Sequence, residues 1–488
     1  MRRSRLSAVL IGAGSLLALG AGASSASAAV SQPAAPAVAT AAGAAQAGSF
    51  GTAIKVPGTA TLNTSGNAVT VSVSCASTGN CSAGGFYTAG ATQAFVVNEV
   101  DGTWGKAEEI PGTATLNQGG NAQVSEVSCA SAGNCAVGGT YTDSSGSNQA
   151  FVASEANGTW GTAQQVPGTA ALGGETTLDV LSCGSAGNCS AGGSYSDSSG
   201  KFQAFVASEA SGTWGTAREV PGTAALNQGG DAHVGALSCA SAGNCSAGGS
   251  YFDASGDTQV FVVNEAGGTW GAAQEVPGTA TLNKGAIFGA QLFSVSCATA
   301  GNCATGGFYT DGSGDIVAFV ASETSGTWGM AQEVPGIANQ GFAQALSVSC
   351  ASAGNCSAGG DFGTSAGTQA FVVNEANGTW GDSEQVPGIA TLNTGGNAII
   401  NSVSCASAGN CAAAGSYSDA SGHTQAFVAS EASGAWGTAQ EVPGTATLNK
   451  GGNATADSVS CAPGGNCSAG GSYSDKSFAI QAFVASES

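Results

Sequence analysis

The chain has 488 residues, 31 of them acidic against 10 basic, with a formal charge of −21, 79 glycines and 16 cysteines. That balance excludes nucleic acid, whose affinity comes from neutralising phosphates with Lys and Arg, and it disfavours anionic lipid surfaces for the same reason. Beyond residue 5 there is one arginine, Arg218, and the chain has only two histidines, His233 and His423.

The chain opens on Arg2, Arg3 and Arg5, an apolar stretch from Leu6 to Leu19, and the small-residue triplet Ala26-Ser27-Ala28. This is the pattern of an export signal cleaved after Ala28. The apolar stretch is too short and too rich in Gly and Ser to span a bilayer, and no second candidate follows, so no membrane insertion is expected. Removing three arginines leaves seven basic against 31 acidic residues, a charge of −24. Residues 29–47 are mostly Ala, Pro, Gln and Thr without an aromatic. They cannot bury enough surface to offset ordering entropy and are expected to form a flexible tail.

From residue 48 onward a unit of 53 to 58 residues recurs eight times. In the third unit, Val180-Leu181-Ser182-Cys183 alternates as a strand before a Gly-rich turn, and Cys189 to Tyr195 forms a second strand. After the turn at Asp197-Ser198-Ser199-Gly200, Gln203 to Glu209 forms a third. Thr213-Trp214 then opens a fourth, which ends at Pro221-Gly222. No 3.6-residue period appears after the signal, so the class is all-β, and four short strands per unit predict a propeller blade. The last unit stops at Ser486-Glu487-Ser488 without its fourth strand, while residues 48–58 supply one at the other end of the chain. A single eight-bladed β-propeller follows, over residues 48–488, closed by an N-terminal strand that completes the C-terminal blade. The recurrent Phe of each third strand (Phe205 in this unit) and the Trp of each fourth are expected to pack between blades.

The turn into Thr213-Trp214 resembles that of the BNR/Asp-box propellers, among which sialidases are the known enzymes. The family's Ser-x-Asp-x-Gly-x-Thr-Trp stands here as Ser208-Glu209-Ala210-Ser211-Gly212-Thr213-Trp214, one residue shorter and without the aspartate. The resemblance implies the fold more than the chemistry. A sialidase needs an arginine cluster for the substrate carboxylate, and Arg218 alone cannot supply it.

All sixteen cysteines fall in eight pairs with five residues between partners: Cys75-Cys81, Cys129-Cys135, Cys183-Cys189, Cys239-Cys245, Cys297-Cys303, Cys350-Cys356, Cys405-Cys411 and Cys461-Cys467. The spacing is not that of a zinc site or of a Cys-x-x-Cys redox centre. Disulfides across each first hairpin are expected, in keeping with export to an extracellular, oxidising place.

Catalytic chemistry finds few candidates. The two histidines lie in different units without a nucleophile motif. A Glu recurs eight times, from Glu99 to Glu487; a catalytic acid is needed once, so this one is expected to bond the turn backbone or sit solvated at the blade rim. Acids that break the repeat are better candidates: Glu126, Asp179 and Asp457, each just before a first-strand cysteine. Asp253 with Asp257, and Asp311 with Asp315, offer oxygens for calcium but lack the full EF-hand spacing, and Asx turns are the better explanation. No cofactor is expected. The sequence favours a secreted, monomeric, non-enzymatic propeller, free or associated with the cell wall, that binds a surface glycan, peptide or protein through one loop face. The alternatives are a carbohydrate-active hydrolase or lyase with carboxylates at the channel mouth, and a structural cell-envelope protein.

Overall fold

A computed structural model describes residues 49–285, 288–337 and 340–487; the expected export signal (1–28) and tail (29–47) lie outside them. Each repeat forms one antiparallel sheet, and the eight sheets are the blades of a β-propeller. The innermost strands, which number the blades 1 to 8, are Ala68–Ser77, Ala122–Ser131, Thr176–Ser185, Ala232–Ser241, Ala290–Thr299, Ala343–Ser352, Ala398–Ser407 and Ala454–Cys461. In blade 1 the second strand is Asn80–Ala89 and the third Ala91–Val100. The outer strand is broken into two pieces, Thr103–Trp104 and Glu108–Glu109, both paired with the third. Blade 8 takes its outer strand from the N-terminus: Ile54 and Lys55 pair with Val484 and Phe483, and Phe50 bridges to Glu487.

The core lies between blades. One apolar cluster combines Ala94, Val96 and Ile110 of blade 1 with Val124, Phe151 and Trp160 of blade 2, and a matching cluster joins Val484 of blade 8 to Phe95 and Trp104 of blade 1. The eight third-strand phenylalanines are fully buried. The second strand carries Gly-Gly, or Ala-Gly in blade 7, and the second glycine lies against a carbonyl of the inner strand. A Cβ on Gly139 would stand 2.0 Å from the Gln123 carbonyl oxygen.

Three sets of hydrogen bonds run unbroken around the ring. The Ser before each first cysteine accepts the next blade's cysteine N–H, as from Cys129 to Ser74 Oγ (2.9 Å), and the set closes from Cys75 to Ser460. This satisfies an amide on an edge strand that has no neighbour inside the ring. On the outside, each turn proline's carbonyl accepts an amide from the next blade, as from Ala107 to Pro57 (2.7 Å), closing from Ala53 to Pro443.

The third set corrects the expectation for the recurrent glutamate. It is not solvated: all eight are at most 8% exposed. Each accepts a hydrogen bond from the Ser or Asn that precedes the glutamate of the previous blade, as from Ser154 Oγ to Glu209 (2.6 Å), from Asn98 Nδ2 to Glu155, and across the chain ends from Ser486 Oγ to Glu99 (2.7 Å). Opposite seven of the eight glutamates a tryptophan donates its Nε1–H to the same Ser or Asn, as Trp214 does to Ser154 (3.2 Å), and opposite Glu487 stands Phe50. Glu and Trp of one blade thus clamp a single polar side chain of its neighbour.

The connections from outer strand to next inner strand hold a second departure. Among the described residues they contain seven one-turn helices, Thr113–Leu116 for instance. The buried Thr113 hydroxyl donates to the Ile110 carbonyl (2.7 Å), and Asn117 closes the turn and donates to Thr92 O (2.9 Å) and Gln93 Oε1 (3.0 Å) of the blade just left. Four residues are too few to show a helical period.

All eight cysteine pairs form disulfides across the hairpin between the first and second strands, and no free cysteine remains among the described residues. Closing so small a loop stabilises by about 2 kcal/mol in the chain-entropy account. Replacing Cys183 and Cys189 together by Ser should therefore lower the guanidinium-derived unfolding free energy by about 2 kcal/mol. A change below a few tenths would mean the hairpin is held by its strand pairing alone.

Candidate functional site

Eight copies of one unit form an internal alignment, and the chemically widest variation sits at one end of the molecule. At the disulfide end the Ser-Cys and Asn-Cys pairs are present in every blade. At the other end three positions differ from blade to blade. The second residue of the inner strand runs Val69, Gln123, Thr177, His233, Gln291, Gln344, Ile399, Thr455. The residue at the inner-strand bulge runs Val71, Ser125, Asp179, Gly235, Phe293, Leu346, Asn401, Asp457. Their neighbour on the second strand runs Phe86, Thr140, Ser194, Ser250, Phe308, Asp361, Ser416, Ser472. The bulge breaks the ladder locally and re-aims its residue. Ser125 Oγ donates to the Leu178 carbonyl of the next blade (2.6 Å), and Asn401 Nδ2 likewise to Ala456 O (3.0 Å).

Asp179 and Asp457 occupy this bulge, and Glu126 follows it by one residue; all three are partly exposed. Glu126 accepts from Ser72 Oγ of blade 1 (2.7 Å). Asp179 lies near Thr177 and near His233 of blade 4; Asp457 lies near Thr455. Each acid thus has its own partners. Desolvation by the crowded wall pushes Glu126 and Asp457 up to about 7 and raises Asp179, with the nearby His233 opposing the rise.

His233 sits 3.4 Å from Ser250 Oγ, and its ring lies beside Gly235. His423 is exposed and pairs with Asp419 at 3.8 Å. One acid that sequence reasoning passed over is Asp361, which is 4% exposed, has an unpartnered Oδ1, and is pushed by burial up to about 7. Its signal was available: four other blades carry Ser at this position.

The turns between second and third strands lie at the same end. Asp253 Oδ1 accepts from the amides of Ser255 (2.8 Å) and Asp257 (3.0 Å), and Oδ2 from Gln259 Nε2 (3.2 Å). Asp311 likewise accepts from Ser313 N (2.7 Å) and Asp315 N (3.0 Å). These carboxylates hold their own turns, and among the described residues no group of three His, Cys, Asp or Glu is placed to hold a metal. Five such turns have Gly at the left-handed position, and blade 8 has Phe478 there, with φ 63° and 77% exposed. Phe202 and Phe288 are also exposed at this end.

Among the described residues no helix is long and apolar enough to cross a membrane. The chain matches no protein-family model and no curated protein. It is similar to several solved structures. One is Sqt1 of Chaetomium thermophilum bound to the N-terminus of ribosomal protein L10, at 12% identity over 87% of this chain and 98% of that one, with a TM-score of 0.47. Another is the Hadza microbial sialidase Hz136, at 10% identity over 80% and 68%, with a TM-score of 0.36. A third is the fucose-specific lectin of Aleuria aurantia, at 13% identity over 65% and 95%, with a TM-score of 0.32.

Proposed function

We propose that this is a secreted, non-enzymatic propeller that binds an extracellular glycan, peptide or protein at the end of the ring opposite the disulfides. The observation that carries the reading is the split between a constant end and a varied end within one chain. Residues that close hairpins or join blades recur eight times because eight interfaces need the same contacts. Residues that face a ligand have no such reason to recur, and a rigid scaffold that holds varied loops is a common binding arrangement. Phe478 adds to this. A bulky side chain at positive φ is disfavoured, and this one gains no burial within its own chain.

The test is a ring made regular at the varied end: Phe202→Thr, Lys476→Ser and Phe478→Gly, each copying other repeats. On glycan and peptide arrays the parent protein should give hits that this variant loses at least tenfold. A control altered at the disulfide end, Thr78→Ala with Asp101→Asn, should keep them. Hits retained by the regular ring and lost by the control would overturn the reading.

A second reading, a carbohydrate-active hydrolase or lyase, has one observation in its favour: Glu126 and Asp457 at about 7 are in the range a general acid needs. It requires turnover on polysaccharides that Glu126→Gln or Asp179→Asn abolishes.

A further inference from the structure

The inner strands carry no Lys and no Arg: the seven basic residues after the signal are Lys55, Lys106, Lys201, Arg218, Lys284, Lys450 and Lys476. Of the partly exposed acids, Asp457 and Glu126 therefore have no basic residue on the strands that surround them, while Asp179 has His233 of blade 4 nearby. The one ion pair among the described residues, His423 with Asp419, lies in the turn between second and third strands of blade 7. The acids are also not spread evenly. The three partly exposed ones come from blades 8, 2 and 3, which with blade 1 form one side of the ring, while Asp361 of blade 6 is buried beside Gln344. On the other side, blades 5 and 6 place Phe293 and Leu346 at the same bulge position, flanked by the uncharged Gln291 and Gln344. Phe293 packs on Phe308 with ring centroids 5.7 Å apart. The mouth thus has an acidic wall and, facing it, an apolar aromatic wall.

We propose that this mouth is a binding site for a peptide segment that pairs a basic side chain with an apolar one. The proposal deepens the binding reading above and rests on it. A cation entering between the walls meets Asp457 and Glu126, which no Lys or Arg pairs, and the field of an acidic chain draws it in. The neighbouring apolar side chain meets Phe293 and Leu346, and an aromatic face also attracts a cation. An acidic segment would meet like charge, which costs affinity. A neutral sugar would leave the carboxyls without a counter-charge, so the charge pattern favours the basic peptide over the glycan.

The probes are three synthetic peptides of equal length in a Gly-Ser frame, with central Lys-Phe-Arg, Glu-Phe-Glu or Lys-Ser-Arg, titrated by calorimetry against the intact mature protein. The first should bind at least tenfold more tightly than the other two. The double variant Asp179→Asn with Asp457→Asn should weaken it at least tenfold, and Phe293→Asn at least fivefold. The last change copies Asn401, so the bulge is known to accept it. The control altered at the disulfide end, Thr78→Ala with Asp101→Asn, should bind the peptide as the parent does. Equal binding of the Glu-Phe-Glu peptide, or a double variant indistinguishable from the parent, overturns the site. If the Lys-Phe-Arg peptide fails while an array hit depends on the outer turns, this inference falls and the binding reading stands. If neither gives a signal, both fall.

Discussion

Deleting residues 49–58 should cost at least about 5 kcal/mol of unfolding free energy, enough to unfold many single domains. The segment buries Phe50, Ala53 and Val56 to 4%, 4% and 1% exposure. Emptying one buried aromatic site alone costs about 3–5 kcal/mol. The segment also supplies the amide of Ala53 to Pro443 and the carbonyl of Pro57 to Ala107, so two interfaces lose an outer bond together. Blade 8 would be left with an open edge, a template for pairing with other chains. Guanidinium unfolding and light scattering would measure the loss and the association that follows. A truncated chain that unfolds at the parent's midpoint would show that the ring does not depend on its closing strand.

The second large effect is on pH dependence. Burial raises seven of the eight ring glutamates above their ordinary value of 4.5, and it pushes Asp361 up to about 7 from 3.8. A group whose folded value is raised favours the folded state while protonated and loses that contribution as pH climbs through the folded value. Stability should therefore fall between about pH 4.5 and 7. Below that range the sign reverses. Asp143, Asp197, Asp419 and Asp475 are held below 3.8 by hydrogen bonds in their turns, and their contribution is lost as pH falls. The optimum should thus lie near pH 4–5, lower than is usual.

Asp361 isolates the effect. A rise of about three units corresponds to about 4 kcal/mol at high pH, so Asp361→Ser, copying four other blades, should stabilise the protein by about 3 kcal/mol at pH 8. Near pH 4 it should do little. Thermal melts of both proteins across this range decide it. Equal gains at pH 4 and pH 8 would mean that packing, not charge, sets the effect.

Much of the scaffold was legible because eight repeats impose it. The missing fourth strand after Glu487 and the spare one before Pro57 were enough to place the closure, and the even spacing of cysteines located the hairpins. The recurrent glutamate was misplaced for a physical reason. A carboxylate looks like a surface group until its partner is known, and its partner is a Ser or Asn in the previous blade, about one whole repeat away. The helical turns were too short to leave a period. For the candidate site, the sequence singled out Glu126, Asp179 and Asp457 as breaks in the repeat. It could not show which wall each belongs to, since that depends on a bulge and on ring order. Asp361 was passed over because it lies on the second strand, away from the cysteine-proximal positions where acids stood out.

The three hydrogen-bond sets have a further consequence for how such a molecule can change over time. Every interface is head-to-tail and uses the same donors and acceptors, so no single interface records how many blades there should be. A repeat gained or lost by recombination would meet neighbours already able to join it, and a heterologous contact closes at whatever number the rotation allows. Only the split blade marks where the array stops. Blade number is therefore set jointly by the count of repeats and by the rotation that each interface holds, and a ring of another size would keep the same donors and acceptors at a different angle.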